Sequence, residues 1–572
     1  MSTTPLKLAR KGFRRYKIRK LNRFIADSRH ARTVQRVNLG HHLRSIRSTA
    51  FAKHFGLQSI GGVDDFRSIM PVTDYEDHRP FIDRVIEGDT SALFSRGTRI
   101  LMYANTSGTT AQPKNLPVTE TFYRQYKASW QLWGTGVYRD NPELLGLKTL
   151  QFSSDWRCTM VGSGTTERPC GNISGLAAET RPFYLSSLFV LPASVIRIRD
   201  YAAKHYTALR LSMADPDVGM IITANPSTLI SVAQRANEFR EDLIRDIHNG
   251  TLSMHVDVPS EIRMDLRGKL RPNPGRARQL DRIVDRTGFL YPKDVWRQLR
   301  MLAVWTGGSV GQYVSELPQY YGETAIRDHG ISASEGRMTI PLDDDCPHGI
   351  LDYQSHYYEF IPADEHDHDR PTILEADELT PGCDYFILLT TSGGLCRYDI
   401  HDMVRCHGYC GEAPLLSFLN KGKNFSNMTG EKLSESQVID AMKSVREETG
   451  IGMSTYTLAP RWEASDSSEG PSGYRLLLED KESLHDTRVL AESLQAALCR
   501  VNCEYHDKCQ SGRLQPVQVM RLPPGTWQAF RASKSSVRGN FEEFKHPCLT
   551  GDLEFIERML SLQPMDSTLQ SV

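Results

Sequence analysis

Three short apolar runs constrain this chain more than any other feature. They lie at 99–103 (RILMY), 218–223 (VGMIIT) and 302–305 (LAVW), each followed by small or polar residues and then a helix-length segment. Apolar runs this short, bounded by turn residues, read as buried strands. Strand, loop and helix in repetition build an α/β sheet. Such sheets bind ligands outside the carboxyl ends of their strands. The loops that follow the runs are therefore the first places to look for chemistry.

The chain has 572 residues, more than one hydrophobic core usually organises. Residues 1–95 read as mostly helical, and 180–300 as largely helical, with helices expected over 185–214, 227–249 and 259–267. A helix is expected over 310–321, a strand over 325–331 and β-rich structure over 350–420. The polar, glycine-containing segment 420–424 (NKGKN) reads as a boundary. The expected division is a large N-terminal α/β domain over 1–419, a hinge at 420–424 and a small C-terminal α+β domain over 425–572. In the small domain, 434–449 and 486–504 read as helices, 474–479 as a strand and 463–472 as a flexible loop.

Composition removes several function classes. Lys plus Arg and Asp plus Glu both number 69, and a net charge of zero favours neither nucleic acid nor an anionic membrane as partner. No stretch approaches the roughly 18 apolar residues of a spanning helix, and a cytoplasmic setting is expected. The start is basic, with Lys7, Arg10, Lys11, Arg14, Arg15, Lys17, Arg19, Lys20 and Arg23 and no acid through residue 25. An organellar presequence has this look. The plainer reading is a solvated first helix whose Leu21, Phe24 and Ile25 touch the core. Cys406 and Cys410 lie near His401 and His407, and Cys499, Cys503 and Cys509 form a looser group. Neither has the paired spacing of a structural zinc site, so idle thiols are expected. The run His366-Asp367-His368-Asp369 reads as a solvated loop, not a metal site.

Five motifs carry chemistry. In 105–114 (NTSGTTAQPK), the hydroxyls of Ser107, Thr109 and Thr110, the backbone at Gly108 and the Lys114 ammonium can together hold phosphate oxygens. The spacing is not that of the nucleotide P-loop. In 332–337 (SASEGR), Ser334 and Glu335 follow a strand, where a carboxylate can approach a nucleotide and Mg2+. In 397–402 (RYDIHD), Asp402 can accept hydrogen bonds from two ribose hydroxyls. Lys545, in 544–547 (FKHP), matters only if the small domain folds over the large one. The fifth, 307–311 (GGSVG), fits the G-x-S-x-G elbow of hydrolases, with Ser309 as nucleophile and His356, His401 or His407 as base. That reading leaves the other four unexplained.

Taken in order, the motifs resemble those of the superfamily of acyl- and aryl-CoA synthetases, adenylation domains and firefly-type luciferases. Within it the chain looks most like a bacterial-type member of the Gretchen Hagen acyl-acid amido synthetases, the auxin-responsive family. The resemblance rests on TSGTTAQPKNLPVT (106–119), TANPSTL (223–229), WTGGSVGQY (305–313), ISASEGR (331–337), RYDIHDMV (397–404) and FKHP (544–547). It implies an adenylate-forming large domain and ATP and Mg2+ as cofactors. Ser107, Gly108, Thr109, Thr110 and Lys114 match the phosphate-binding loop. Gly307, Gly308 and Ser309 match the loop bordering the adenine and acyl pockets, which makes Ser309 a binding residue. Ser334 and Glu335 match the nucleotide and metal segment, with Glu335 the Mg2+ ligand. Asp402 matches the ribose aspartate, Lys421, Gly422 and Lys423 the hinge, and Lys545 the catalytic lysine of the small domain. Two departures stand out. Cys396 replaces a common Tyr, and Asp399-Ile400-His401 replaces a common Arg-Leu-Gly, which leaves the shape of that turn open.

The implied reaction joins a small-molecule carboxylic acid to the α-phosphate of ATP, then passes the acyl group to an amino acid amine. Transfer to coenzyme A, as in sister families, is the alternative, and a Ser309 hydrolase is a rival from another class.

Overall fold

A computed structural model describes residues 4–106, 114–366, 368–422, 425–426, 428, 431, 433–451, 455–462, 472–479, 487–511, 514–536 and 545–562. The apolar runs form strands in two sheets. Ile100–Thr106 lies between Lys114–Thr119 and Arg168–Gly171 in a sheet completed by Thr159–Val161. The other two runs are the inner strands of a parallel sheet, ordered Lys148–Gln151, Val218–Ile222, Met301–Val304 and Ala325–Asp328. Every residue of Met301–Val304 is buried, as expected where helices cover both faces of a parallel sheet. Residues 350–420 are β-rich. They supply most of a seven-stranded sheet ordered Leu374–Glu375, Tyr357–Pro362, Asp384–Thr390, Tyr398–Cys410, Ala413–Lys421, Gly349–Leu351 and Thr339–Ile340.

Several expected helices are interrupted, for local reasons. The 185–214 span is Phe183–Ser186, a 3-10 turn Ala193–Arg197 and Tyr201–Met213. Pro192 has no N–H to continue a helix, and Asp200 restarts one by accepting from the Ala203 N–H at 2.6 Å. The 227–249 span is Pro226–Glu238 and Arg240–Asn249. Residues 486–504 split at Asn502, whose side chain caps Cys503–Gln510. The 310–321 span is a 3-10 segment, Gly308–Glu316, followed by Leu317–Tyr321. The strand expected over 325–331 stops at Asp328.

The chain divides into two compact units. One comprises 1–305 and 317–418, the other 306–316 and 419–572. Residues 306–316 thus group with the later part of the chain, whereas the sequence reading placed them in the first. Within the first unit, Leu21 and Phe24 of the N-terminal helix Thr4–Asp27 are buried, and Phe24 stacks on Tyr353 at 5.0 Å. Burial of each such side chain stabilises by about 1.5–3 kcal/mol. The second unit has a sheet of Tyr456–Trp462, Ser472–Glu479 and Leu514–Leu522. Its helix Glu435–Thr449 begins at a Ser434–Gln437 capping box and ends at Gly450. Among the described residues, no helix is long and apolar enough to cross a membrane. Cys170, Cys396, Cys406 and Cys548 are buried free thiols.

Candidate active site

Asp402 sits on an irregularity in the strand Tyr398–Cys410. Pairing with Asp384–Thr390 runs through Leu389 with Tyr398 and Leu388 with Asp399, then resumes at Phe386 with Met403. Ile400, His401 and Asp402 therefore face the single residue Ile387. Extra residues on one strand bend it and re-aim a side chain. His401 takes a φ of 57°, the left-handed region that glycine enters freely. This is the position where the resembled pattern commonly has glycine, so the turn keeps a left-handed residue with histidine in its place. Asp399 supports it by accepting from the His401 N–H at 2.6 Å.

The sequence reading passed over Tyr398, which proves to be a hub. Lys114, the last residue of the hydroxyl-rich motif 105–114, donates to the Tyr398 hydroxyl at 3.4 Å. Its ammonium also lies 5.3 Å from the centre of the Tyr75 ring, and the Tyr75 hydroxyl accepts from the Asn115 N–H at 3.0 Å. Burial raises the Tyr398 hydroxyl above the usual tyrosine range, and the neighbouring Glu335 and Asp74 carboxylates push the same way. Glu335 lies in a tight turn closed by hydrogen bonds between Ala333 and Gly336, and it is 9% exposed. Lys114, Glu335 and the segment bearing Asp402 thus meet around one phenol. A carboxylate behind small residues suits Mg2+, which takes one or two protein carboxylates and completes its shell with water and substrate phosphates.

Behind this cluster is a rigid support. Arg397 forms a bidentate ion pair with Glu359, Nη2 to Oε1 at 2.7 Å and Nε to Oε2 at 3.0 Å, with both side chains buried. Its Nη1 donates to the carbonyls of Arg67 and Met70. Thr73 brackets the same stretch. Its N–H donates to the Arg397 carbonyl at 3.0 Å, its carbonyl accepts from the Asp399 N–H at 2.9 Å, and its hydroxyl donates to the Cys396 carbonyl at 2.7 Å. Next to Thr73, Asp74 opens the helix Tyr75–Ile86 with a capping box, which fixes Tyr75. Cys396, the other departure, is buried with Sγ 3.4 Å from His42 Nε2.

Other expected site residues fall elsewhere. Ser107, Gly108, Thr109 and Thr110 lie outside the described residues, as do Lys423 and the side chain of Ser309. Gly307, Gly308 and Ser309 belong to the second unit, and Gly308 has a left-handed φ of 61°. Ser334 is half-buried in the Glu335 turn, Lys421 ends the strand Ala413–Lys421, and Gly422 follows in a turn. Lys545 is exposed. Its neighbour His546 is buried against Trp527 and lies 2.9 Å from the Thr457 hydroxyl, which ties this end of the chain to the second unit's core. Of the histidines available to a hydrolase, His356 stacks on Phe122, His401 pairs with Asp399 and His407 meets the Ser417 hydroxyl. The 366–369 run is not simply solvated, because His366 turns inward onto Asp399.

Comparison with known proteins bears on the family and the fold. Residues 20–326 match the GH3 family N-terminal domain, 349–421 the GH3 family central domain and 436–554 the GH3 family C-terminal domain. The chain is 26% identical to a probable indole-3-acetic acid-amido synthetase, GH3.1 of Arabidopsis thaliana, over 92% of this chain and 90% of that protein. It is 25% identical to a jasmonoyl–L-amino acid synthetase, GH3.5 of Oryza sativa subsp. japonica, over 92% and 94%. Among solved structures, the GH3.15 acyl acid amido synthetase has the same fold, with a TM-score of 0.81, 19% identity and 96% of each chain covered.

Proposed function

Because this chain belongs to the GH3 family, we propose that it is an ATP-dependent acyl-acid amido synthetase. The observation that carries the reading is the meeting of Lys114, Glu335 and the Asp402 segment around Tyr398. A cation, a metal-type carboxylate and a ribose-type carboxylate are what a nucleotide triphosphate needs.

A carboxylate is a poor acyl donor. Attack of its oxygen on the α-phosphorus of ATP forms a mixed anhydride and expels pyrophosphate. An amino acid amine then attacks the acyl carbon, forming the amide and releasing AMP. The enzyme's part is to orient reactants and stabilise charge. Lys114, with Ser107, Gly108, Thr109 and Thr110, neutralises the β- and γ-phosphates. Asp402 holds the ribose hydroxyls, and the Arg397–Glu359 pair keeps it in place. Gly307, Gly308 and Ser309 border the adenine and the acid. Glu335 would hold Mg2+, which when bound supplies positive charge to the phosphates. Lys545 lowers the repulsion between the incoming carboxylate and the α-phosphate. Rotation about 420–424 then admits the amine. A cytoplasmic setting, where ATP, Mg2+ and amino acids occur together, is part of the same proposal.

The test is a panel of carboxylic acids incubated with ATP and Mg2+, with either amino acids or coenzyme A as acceptor. Pyrophosphate release that needs an acid, with an amide conjugate identified by mass, is expected. Thioester formation without any amide would replace the proposal with an acyl-CoA synthetase.

A further inference from the structure

Asp399 and His401 do more than shape the bulge. His366, from the turn after Tyr357–Pro362, brings its Nε2 to 2.7 Å from Asp399 Oδ2, and His401 Nδ1 lies 3.0 Å from the same oxygen. The three donor atoms all lie within 4.8 Å of one another. The group is held rigidly. The His366 ring stacks on Phe386 at 3.7 Å between centroids, and the other Asp399 oxygen accepts the His401 backbone N–H. Asp399 is nearly buried, whereas the His366 and His401 side chains keep 18% and 23% exposure, so an ion can enter from solvent.

We propose that His366 Nε2, the Asp399 carboxylate and His401 Nδ1 form a binding site for a divalent transition ion of the zinc class. Two imidazoles and one carboxylate leave a fourth position open to water. On binding, each ring gives up to solvent the proton now directed at Oδ2 and carries its proton on the other nitrogen, so both imidazoles ligate in the neutral form. The donors then spread from hydrogen-bond separation to about 3.3 Å, the edge of a tetrahedron with bonds near 2.0 Å. That is a small movement for donors already converging. Imidazole selects such ions over Mg2+, which prefers oxygen. The site is therefore chemically separate from Glu335. Its structural effect is to clamp the His366 turn to the bulge that carries Asp402. The proposal stands on this geometry alone and does not depend on the adenylation reading.

The test is titration of the full chain with Zn2+ in excess Mg2+, against a chromophoric chelator. Co2+ serves as a spectroscopic probe of nitrogen and oxygen coordination. One equivalent should bind, and His366→Ala or Asp399→Ala should each weaken binding by about 100-fold or more, since even indirect ligand supports are worth 10–100-fold. Binding unchanged in both variants would assign the ion to surface thiols and overturn the proposal. Should the variants not fold, the wild-type chain still decides. Zn2+ should protect His366 and His401 from histidine acylation, mapped by peptide mass, while the exposed His368 keeps reacting. Equal modification of all three with and without Zn2+ would equally overturn it. Neither readout uses ATP or an acid, so failure here leaves the amido synthetase proposal standing.

Discussion

His401 pays for its position with a left-handed φ that costs a side chain about 1–2 kcal/mol. Glycine would remove that strain but lose the contact with Asp399, worth about 0.5–1.5 kcal/mol. His401→Gly should therefore stay within about 1 kcal/mol of wild type, whereas His401→Val keeps the strain, loses the contact and should fall about 0.5–1.5 kcal/mol below wild type and about 1–2 kcal/mol below the glycine variant. Chemical denaturation measures both, and equal stability of the two variants would contradict the bulge as described. In the role proposed for it, Asp402 makes two charge-assisted hydrogen bonds to ribose, and Asp402→Ala would remove them, about 2–4 kcal/mol together. The KM for ATP should rise by roughly 30- to 1,000-fold. Ser309→Ala should change it by about tenfold or less. A larger loss at Ser309 than at Asp402 would move the nucleotide away from the bulge. At this scale, Lys114, Glu335 and Asp402 stood out in the sequence because each lies in a motif of small or polar residues beside a β-run. Tyr398 was not, because a buried tyrosine within a β-run has no local mark that separates a hub from ordinary core.

Elements were legible where caps announce them. Thr119 starts the helix Glu120–Asp140 by accepting from the Phe122 N–H, and Ser434 does the same for Glu435–Thr449. The bulge was not legible, since its register depends on the partner strand. Nor was the Arg397–Glu359 pair, whose members lie 38 residues apart. Arg397→Ala should cost about 3–5 kcal/mol by leaving a buried carboxylate short of charge, and pairing Arg397→Met with Glu359→Leu should cost less than the single change. A single variant as stable as wild type would show that the pair does not brace the strand. Buried histidines add a pH dependence. Burial lowers His42 and His78 to about 4, and His329 and His356 to about 3. Unfolded, each takes a proton below about 6.5, while the folded state does not. Stability is thus highest above that value and falls as pH drops towards 3–4, by about 1.4 kcal/mol per pH unit for each histidine. Denaturant midpoints that stay flat from pH 7 to about 5 would contradict this account.

For the whole molecule, the order of the motifs pointed to the fold, because in that order and spacing they resemble one family's pattern. The grouping of 306–316 with the second unit had no counterpart in the sequence, since contact between distant segments leaves no local signature. Lys545 belongs to that second unit, and in the proposed mechanism its charge serves only the meeting of two anions. Lys545→Ala should slow adenylate formation by roughly 100- to 1,000-fold, while a chemically supplied acyl-adenylate is still converted to amide. Equal loss in both half-reactions would make Lys545 structural. The central claim, that a carboxylate oxygen attacks the α-phosphorus of ATP, is tested most directly by isotope transfer. With the best acid of the panel labelled with oxygen-18 in its carboxylate, AMP should carry one labelled oxygen per amide formed and pyrophosphate none. Unlabelled AMP, or ADP with labelled phosphate, would contradict the account.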